Sequence, residues 1–345
     1  MINQEQKIKI GFVGFGRMGI THYSILNTHP KVEIIAISDT LPLVIKLVEK
    51  YLKPKAFISY KEMIDKMMPN AIIISTPPNV HYEIIKYASE RNIHIFVEKP
   101  FTVDINQAKE LRDIYEKIGL VNQVGYVYRF NDIFIKLKEF MHSGVIGKLY
   151  DFKFEFMSPT IIRKTNKSSW RANKEIGGGV LYEMASHMID LINYLIGKPD
   201  NITGAIKNKI NSIDVDDLLA CIFLFNSGIT GVLRVNWSDK SYRKPAIFIE
   251  LFGELGKIIA DQYTMKIFLD RPFDKYNLKK GWNVIYITDV FEPVPFYVRG
   301  YEFTRQLWHF IQCIENREAK SLCSFSDGYN VHEIIYKITN KFTEL

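Results

Sequence analysis

Three groups of residues in this chain have types and spacings that could do chemistry. Gly14, Gly16 and Gly19 follow an apolar run, and Asp39 comes 20 residues after Gly19 at the end of the next one. In such a turn the first glycine lets the chain reverse and the second lets backbone N–H groups approach a pyrophosphate. The third lets the new helix, opened here by Arg17 and Met18, sit close on its strand with its positive end toward the phosphates. A carboxylate at the distance of Asp39 accepts hydrogen bonds from an adenosine ribose. The second group is Glu98-Lys99-Pro100, directly after an apolar run. The third is Glu183, His187 and Asp190, spaced four and three residues apart so that a helix would carry them on one face. No Lys or Arg falls in 180–196, and Leu181, Met184, Ala185, Met188 and Ile189 leave the polar groups only a narrow stripe. An imidazole titrating near pH ~6.5 can take a hydroxyl proton, and an ammonium can stabilise the alkoxide or relay that proton.

Holding such groups together calls for an open sheet. Strand patterns at 8–13, 32–38, 71–75, 93–97 and 120–124 alternate with helical patterns at 42–52, 80–90 and 105–118, the rhythm of a doubly wound parallel sheet. Ala71-Ile72-Ile73-Ile74 and Ile93-His94-Ile95-Phe96-Val97 are nearly unbroken apolar runs, as burial on both faces requires. Ligands in such sheets sit beyond the carboxyl ends of the strands, which selects Thr76-Pro77-Pro78-Asn79 and Glu98-Lys99-Pro100 as site loops. Asp39-Thr40-Leu41-Pro42 offers no cation to a 2′-phosphate, so NAD is expected in preference to NADP.

After Tyr126 the pattern changes. Residues 151–156 alternate polar and aromatic side chains, like a strand covered on one face. Asn226-Ser227-Gly228 is a hairpin turn between runs at 218–225 and 229–237, and further runs at 246–252, 257–260, 266–269 and 284–287 extend that sheet before two closing helices at 302–316 and 327–342.

A chain of 345 residues exceeds one comfortable core, so two domains are expected, over 1–125 and 126–345, with the terminal helix free to pack back on the first. The net charge of +7 is spread along the chain, which suits a bound anion and argues against nucleic acid. Three cysteines without a CxxC pair fit a reducing cytoplasm, and the polar start of the chain is no signal peptide. No apolar stretch approaches the ~18 residues needed to cross a bilayer, so no membrane contact is expected. The eight histidines form no HExxH-like pattern, so no metal is expected.

The glycine turn, Glu98-Lys99-Pro100, Gly125-Tyr126-Val127-Tyr128-Arg129-Phe130 and the stretch from Gly177-Gly178-Gly179 to His187 and Asp190, taken in this order, resemble the glucose-fructose oxidoreductase, inositol dehydrogenase and rhizopine-catabolism (Gfo/Idh/MocA) family over most of the chain. The resemblance implies an N-terminal Rossmann domain followed by an α+β domain built on a large, open-faced, mostly antiparallel sheet. It also implies an NAD-dependent oxidoreductase of a sugar, cyclitol or nucleotide-sugar, and a homodimer or homotetramer formed through that sheet. Lys99 and His187 become the catalytic pair. Glu183 stands where the family has Asp and is assigned to orienting His187, with a solvated helix glutamate as the alternative. Ser75, Thr76, Pro77, Asn79, His81, Glu98, Gln123, Trp170 and Arg171 are expected beside the cofactor, although His81 could instead cap its helix. Tyr126, Arg163 and Asn173 are expected beside the substrate, with Arg129 facing the same cleft. Arg163, Lys164 and Lys167 could take a diphosphate or belong to an ordinary solvated loop. Two further readings stay open: a hydrolase that keeps NAD bound and oxidises its substrate transiently, and a redox-inert cofactor-binding protein.

Overall fold

The computed structural model describes residues 7–164, 170–316 and 318–342. The chain divides into two compact units, one made of 1–127 with 294–329 and the other of 128–293 with 330–345. The C-terminal segment therefore splits: 294–329, expected in the second domain, belongs to the first unit.

The first unit is a six-stranded sheet formed by β1 (Ile8–Val13), β2 (Val32–Ser38), β3 (Lys55–Phe57), β4 (Ala71–Ile74), β5 (His94–Val97) and β6 (Asn122–Val124). Their order is β3-β2-β1-β4-β5-β6 and every pairing is parallel. The connecting helices are α1 (Arg17–Leu26), α2 (Pro42–Tyr51), α3 (Tyr60–Met67), α4 (His81–Ser89) and α5 (Ile105–Ile118). All four residues of β4 are buried, so the sheet is covered on both faces, each isoleucine contributing roughly 1.5–3 kcal/mol of apolar burial. Asp104 caps α5 by accepting from the N–H groups of Asn106 and Gln107, and Gly119 ends it in the left-handed region. The register sets one row, Ser38, Val13, Ile74, Val97 and Val124, across the carboxyl ends of five neighbouring strands. One residue beyond that row, in strand order, stand Asp39, Gly14, Ser75, Glu98 and Gly125.

The second unit holds α6 (Asp132–His142), α7 (Ser186–Leu195), the short α8 (Ile287–Val290) and eight strands. These are β7 (Leu149–Met157), β8 (Asn201–Asn208), β9 (Leu218–Leu224), β10 (Thr230–Asn236), β11 (Ala246–Gly253), β12 (Gly256–Ala260), β13 (Thr264–Leu269) and β14 (Gly281–Tyr286). They are ordered β14-β13-β12-β11-β7-β10-β9-β8 and are antiparallel except where β7 meets β10. Phe152, Phe154 and Phe156 of β7 point inward while Asp151 and Lys153 point to water, the alternation a one-sided sheet needs. α9 (Tyr301–Glu315) returns to the first unit, where Leu307, Phe310 and Ile311 join a core with Phe12 and Phe96. α10 (Phe325–Thr339) closes the chain.

Candidate active site

The glycine turn has the shape a dinucleotide needs. Gly14 lies at φ +86°, and a Cβ there would sit 2.8 Å from the Thr76 side chain. A Cβ on Gly19 would come within 2.3 Å of the Gly14 carbonyl oxygen, so only glycine lets α1 approach β1 this closely. Gly16 has no atom within 4 Å of its would-be Cβ and so leaves open space where a phosphate would lie. Gly16 also precedes α1 without a side-chain cap, leaving the first-turn N–H groups for a ligand. Arg17 is exposed at that terminus and Met18 half-buried behind it. Asp39 is fixed by backbone donors: the N–H of Phe15 donates to Oδ2 at 2.7 Å and that of Leu41 to Oδ1 at 2.9 Å. Its remaining lone pairs stay available to ribose hydroxyls, and Thr40 beside it is exposed. The Ser75 hydroxyl donates to the Gly14 carbonyl at 2.8 Å, so Ser75 braces the turn.

Two loops flank this turn. Thr76, with a buried Oγ1 that has no partner among the described residues, leads to exposed Pro77 and Asn79. Lys99 is half-buried and joined to Pro100 by a cis peptide. His81 neither lies open to a cofactor nor caps α4. Its ring is fully buried, with Nε2 3.0 Å from the Thr76 carbonyl oxygen and Nδ1 3.1 Å and 3.2 Å from those of Pro100 and Phe101. It therefore ties the two loops to each other, and burial, opposed by the carbonyls around it, lowers its pKa. Gln123 also departs from expectation. It is fully buried and its Nε2 donates to the Gln306 carbonyl at 2.9 Å, so it fastens α9 to β6 instead of facing a cofactor. Tyr126 is likewise buried, as a core residue at the end of the first unit. Glu98 is paired with His22, a residue whose role its sequence context does not announce.

In the second unit the glycines at 177–179 form a buried, hydrogen-bonded turn. The N–H groups of Gly178, Gly179 and Val180 donate to the carbonyls of Asn173, Arg171 and Asp216 at 2.9, 2.9 and 3.0 Å. Asn173 serves this turn, its Oδ1 accepting from the Glu175 N–H at 3.0 Å. Behind the turn, buried Asp217 accepts from the N–H groups of Ile210, Asn211 and Ser212, from the Ser212 hydroxyl and from the Trp237 indole. Burial works against its charge, but these donors outweigh it and hold its pKa below the usual carboxylate range.

The polar stripe divides by partner. Residues Leu181–Ala185 form a π turn, which takes more residues than an α turn and rotates the helix beyond it. Glu183 and His187 remain half-buried, but Asp190 points inward with 1% exposure and is held by Arg129 through three contacts of 2.7–3.0 Å. Arg129, expected to face the cleft, is buried by the same pairing. The Glu183 carboxylate receives Arg171 Nε at 2.8 Å, and the His187 ring lies edge-on to Tyr128 with 4.9 Å between centroids. Arg163 and Lys164 are exposed, Lys167 lies outside the described residues, and Trp170 opens a short helical turn at 170–172. Among the described residues no group of three His, Cys, Asp or Glu side chains could hold a metal ion, and no helix is long and apolar enough to cross a membrane.

A parallel sheet with a glycine turn and the carboxylate of Asp39 at its carboxyl edge, followed along the chain by a one-faced mixed sheet, defines a two-domain protein with a dinucleotide-binding type of fold. Comparison with known proteins specifies the class. Residues 8–126 match the family model described as the oxidoreductase family with an NAD-binding Rossmann fold, and residues 134–259 match the GFO/IDH/MocA C-terminal domain. The chain belongs to the Gfo/Idh/MocA family of NAD-binding oxidoreductases, and NAD is its cofactor. An uncharacterized oxidoreductase of Schizosaccharomyces pombe is 31% identical over 165 residues, 47% of this chain and 44% of that protein, so the match spans less than half of that relative. The myo-inositol 2-dehydrogenase of Thermotoga maritima is 26% identical over 284 residues, 78% of this chain and 80% of that protein. A levoglucosan dehydrogenase solved with NADH and levoglucosan has the same fold, with a TM-score of 0.86 at 22% identity over 97% of each chain.

Proposed function

We propose that the protein is an NAD-dependent dehydrogenase of a sugar or cyclitol hydroxyl, with nucleotide-sugars within the range to be tested. The observation that carries this reading is which groups remain accessible. Lys99 stands beyond the carboxyl end of β5 and Glu183 and His187 stay half-open on their helix, while the neighbouring ions Arg129 and Asp190 are buried against each other. NAD, when bound, supplies the acceptor for the hydride that leaves the carbinol carbon. An imidazole nitrogen of His187 takes the hydroxyl proton. The Lys99 ammonium donates a hydrogen bond to the same oxygen as negative charge develops on it. Glu183, one methylene longer than the Asp usual in the family, holds Arg171 at 2.8 Å on the helix that carries this base. Glu98 accepts from the ribose on the nicotinamide side, and Asp39 from the adenosine ribose, where its charge disfavours NADP.

The myo-inositol and levoglucosan activities of its relatives support a polyhydroxylated, uncharged ring as substrate. The test is a panel of free sugars, cyclitols and UDP-linked sugars with NAD, monitored at 340 nm. NADH formation with one class supports the reading, and none with any class contradicts it. For assembly, we favour a second copy of the chain on the outward face of the eight-stranded sheet, where Trp282, Phe252, Ile222 and Val284 are 58%, 51%, 47% and 44% exposed. Light scattering should then report a dimer or tetramer that Trp282→Glu dissociates.

A further inference from the structure

We propose that His22 is a positioning residue for the nicotinamide half of the cofactor, acting through Glu98. His22 lies on α1, one turn beyond Gly19, on the face that Ile25 and Leu26 bury against the sheet. Its ring is fully buried, edge-on to Phe96 with centroids 5.2 Å apart, and Nε2 lies 2.6 Å from Glu98 Oε1. A carboxylate only accepts, so the Nε2 proton is on the histidine. Nδ1 has no partner among the described residues, so Glu98 is the group this ring serves. Glu98 is itself 9% exposed and His22 is its one side-chain partner among the described residues, which leaves Oε2 to accept from something else. Room for that oxygen comes from Gly125, where a Cβ would sit 3.2 Å from Oε2.

The strand order says what Oε2 faces. A dinucleotide centred on the glycine turn at β1 extends both ways along the carboxyl edge. Asp39 stands one strand away toward β2, about 5 Å, and Glu98 two strands away toward β5, about 10 Å. The sheet thus carries one carboxylate on each side of the phosphates, and each is fastened to the α1 end of the turn. Asp39 is held by the Phe15 N–H and Glu98 by the His22 ring. The helix that receives the pyrophosphate thereby also sets the oxygen that receives the second ribose, next to Lys99. This inference rests on the proposed cofactor contact of Glu98 and is independent of which alcohol is oxidised.

The test compares binding of NADH, ADP-ribose and ADP to the full chain by calorimetry in His22→Leu, His22→Gln, Glu98→Ala and the His22→Leu/Glu98→Ala double variant. ADP lacks the second ribose. His22→Leu should weaken NADH and ADP-ribose about tenfold, the scale of a lost hydrogen bond to a charged group, and leave ADP within about twofold. His22→Gln, which keeps an N–H donor near the Nε2 position, should restore affinity to within about threefold, and the double variant should bind about as Glu98→Ala does. Equal weakening of ADP would reduce His22 to a packing residue and overturn the proposal. So would an unchanged His22→Leu beside a weakened Glu98→Ala. Should Glu98→Ala itself leave ADP-ribose binding unchanged, the ribose contact of Glu98 is what fails, and the role of His22 falls with it.

Discussion

The candidate residues of the two units are held by different materials. In the first unit the nucleotide turn is made of backbone: three glycines, the free N–H groups of α1, and an Asp39 whose orientation is set by main-chain donors. In the second unit the site is made of side chains, with Glu183 held by Arg171 and Asp190 by Arg129 around a π turn. In the first the largest losses should come from bulk added at the glycine turn. The second should fail when a charge is removed.

The sharpest way to break that contrast is Arg129→Ala. It would leave the Asp190 carboxylate buried without its partner, and the second unit should lose about 3–5 kcal/mol in urea unfolding while NADH affinity is kept. A smaller loss would mean that the pair is more solvated than its 4% and 1% side-chain exposures imply. Next comes Gly19→Val, whose first added atom meets the Gly14 carbonyl. NADH affinity should fall by roughly a hundredfold or more, measured by fluorescence titration. Asp217→Asn should cost about 1–3 kcal/mol, because a neutral amide replaces an anion that satisfies several donors. The folded pKa of Asp217 lies below its unfolded value. Its contribution is therefore present above about pH 4 and is lost as pH falls through the folded pKa, and the variant should show less of that acid-side loss. The smallest effect is expected for Asp39→Ala: about a tenfold fall in the preference for NAD over NADP in kcat/KM, with the fold unchanged.

The same contrast explains which features are legible in the sequence. Glycine spacing is a backbone requirement written directly into the residue order, and the all-apolar β4 and β5 can be placed because burial on both faces leaves no polar position. β3 is three residues long and too short to show a period. α6 does carry a signal, absent from the strand and helix patterns read above: Asn131 caps it, and Ile133, Phe134, Leu137 and Phe140 mark its buried face. No residue type announces the π turn at 181–185, and the spacing of Glu183, His187 and Asp190 does not say that Asp190 is buried against Arg129, 61 residues away in the sequence. His81 and Gln123 carry polar groups whose partners are distant carbonyls, and composition says nothing of those. His22 leaves a trace, a histidine at an inward position of an otherwise apolar helix face, but its partner Glu98 is 76 residues away.

The central claim, that the first unit holds the nucleotide while His187 of the second carries the proton, is tested most directly by His187→Ala on the best substrate of the sugar and cyclitol panel. The account predicts a fall in kcat of about 10²–10⁴-fold with the NADH dissociation constant kept within about threefold. Turnover that survives the substitution, or a loss of NADH binding that matches the loss of turnover, would contradict it.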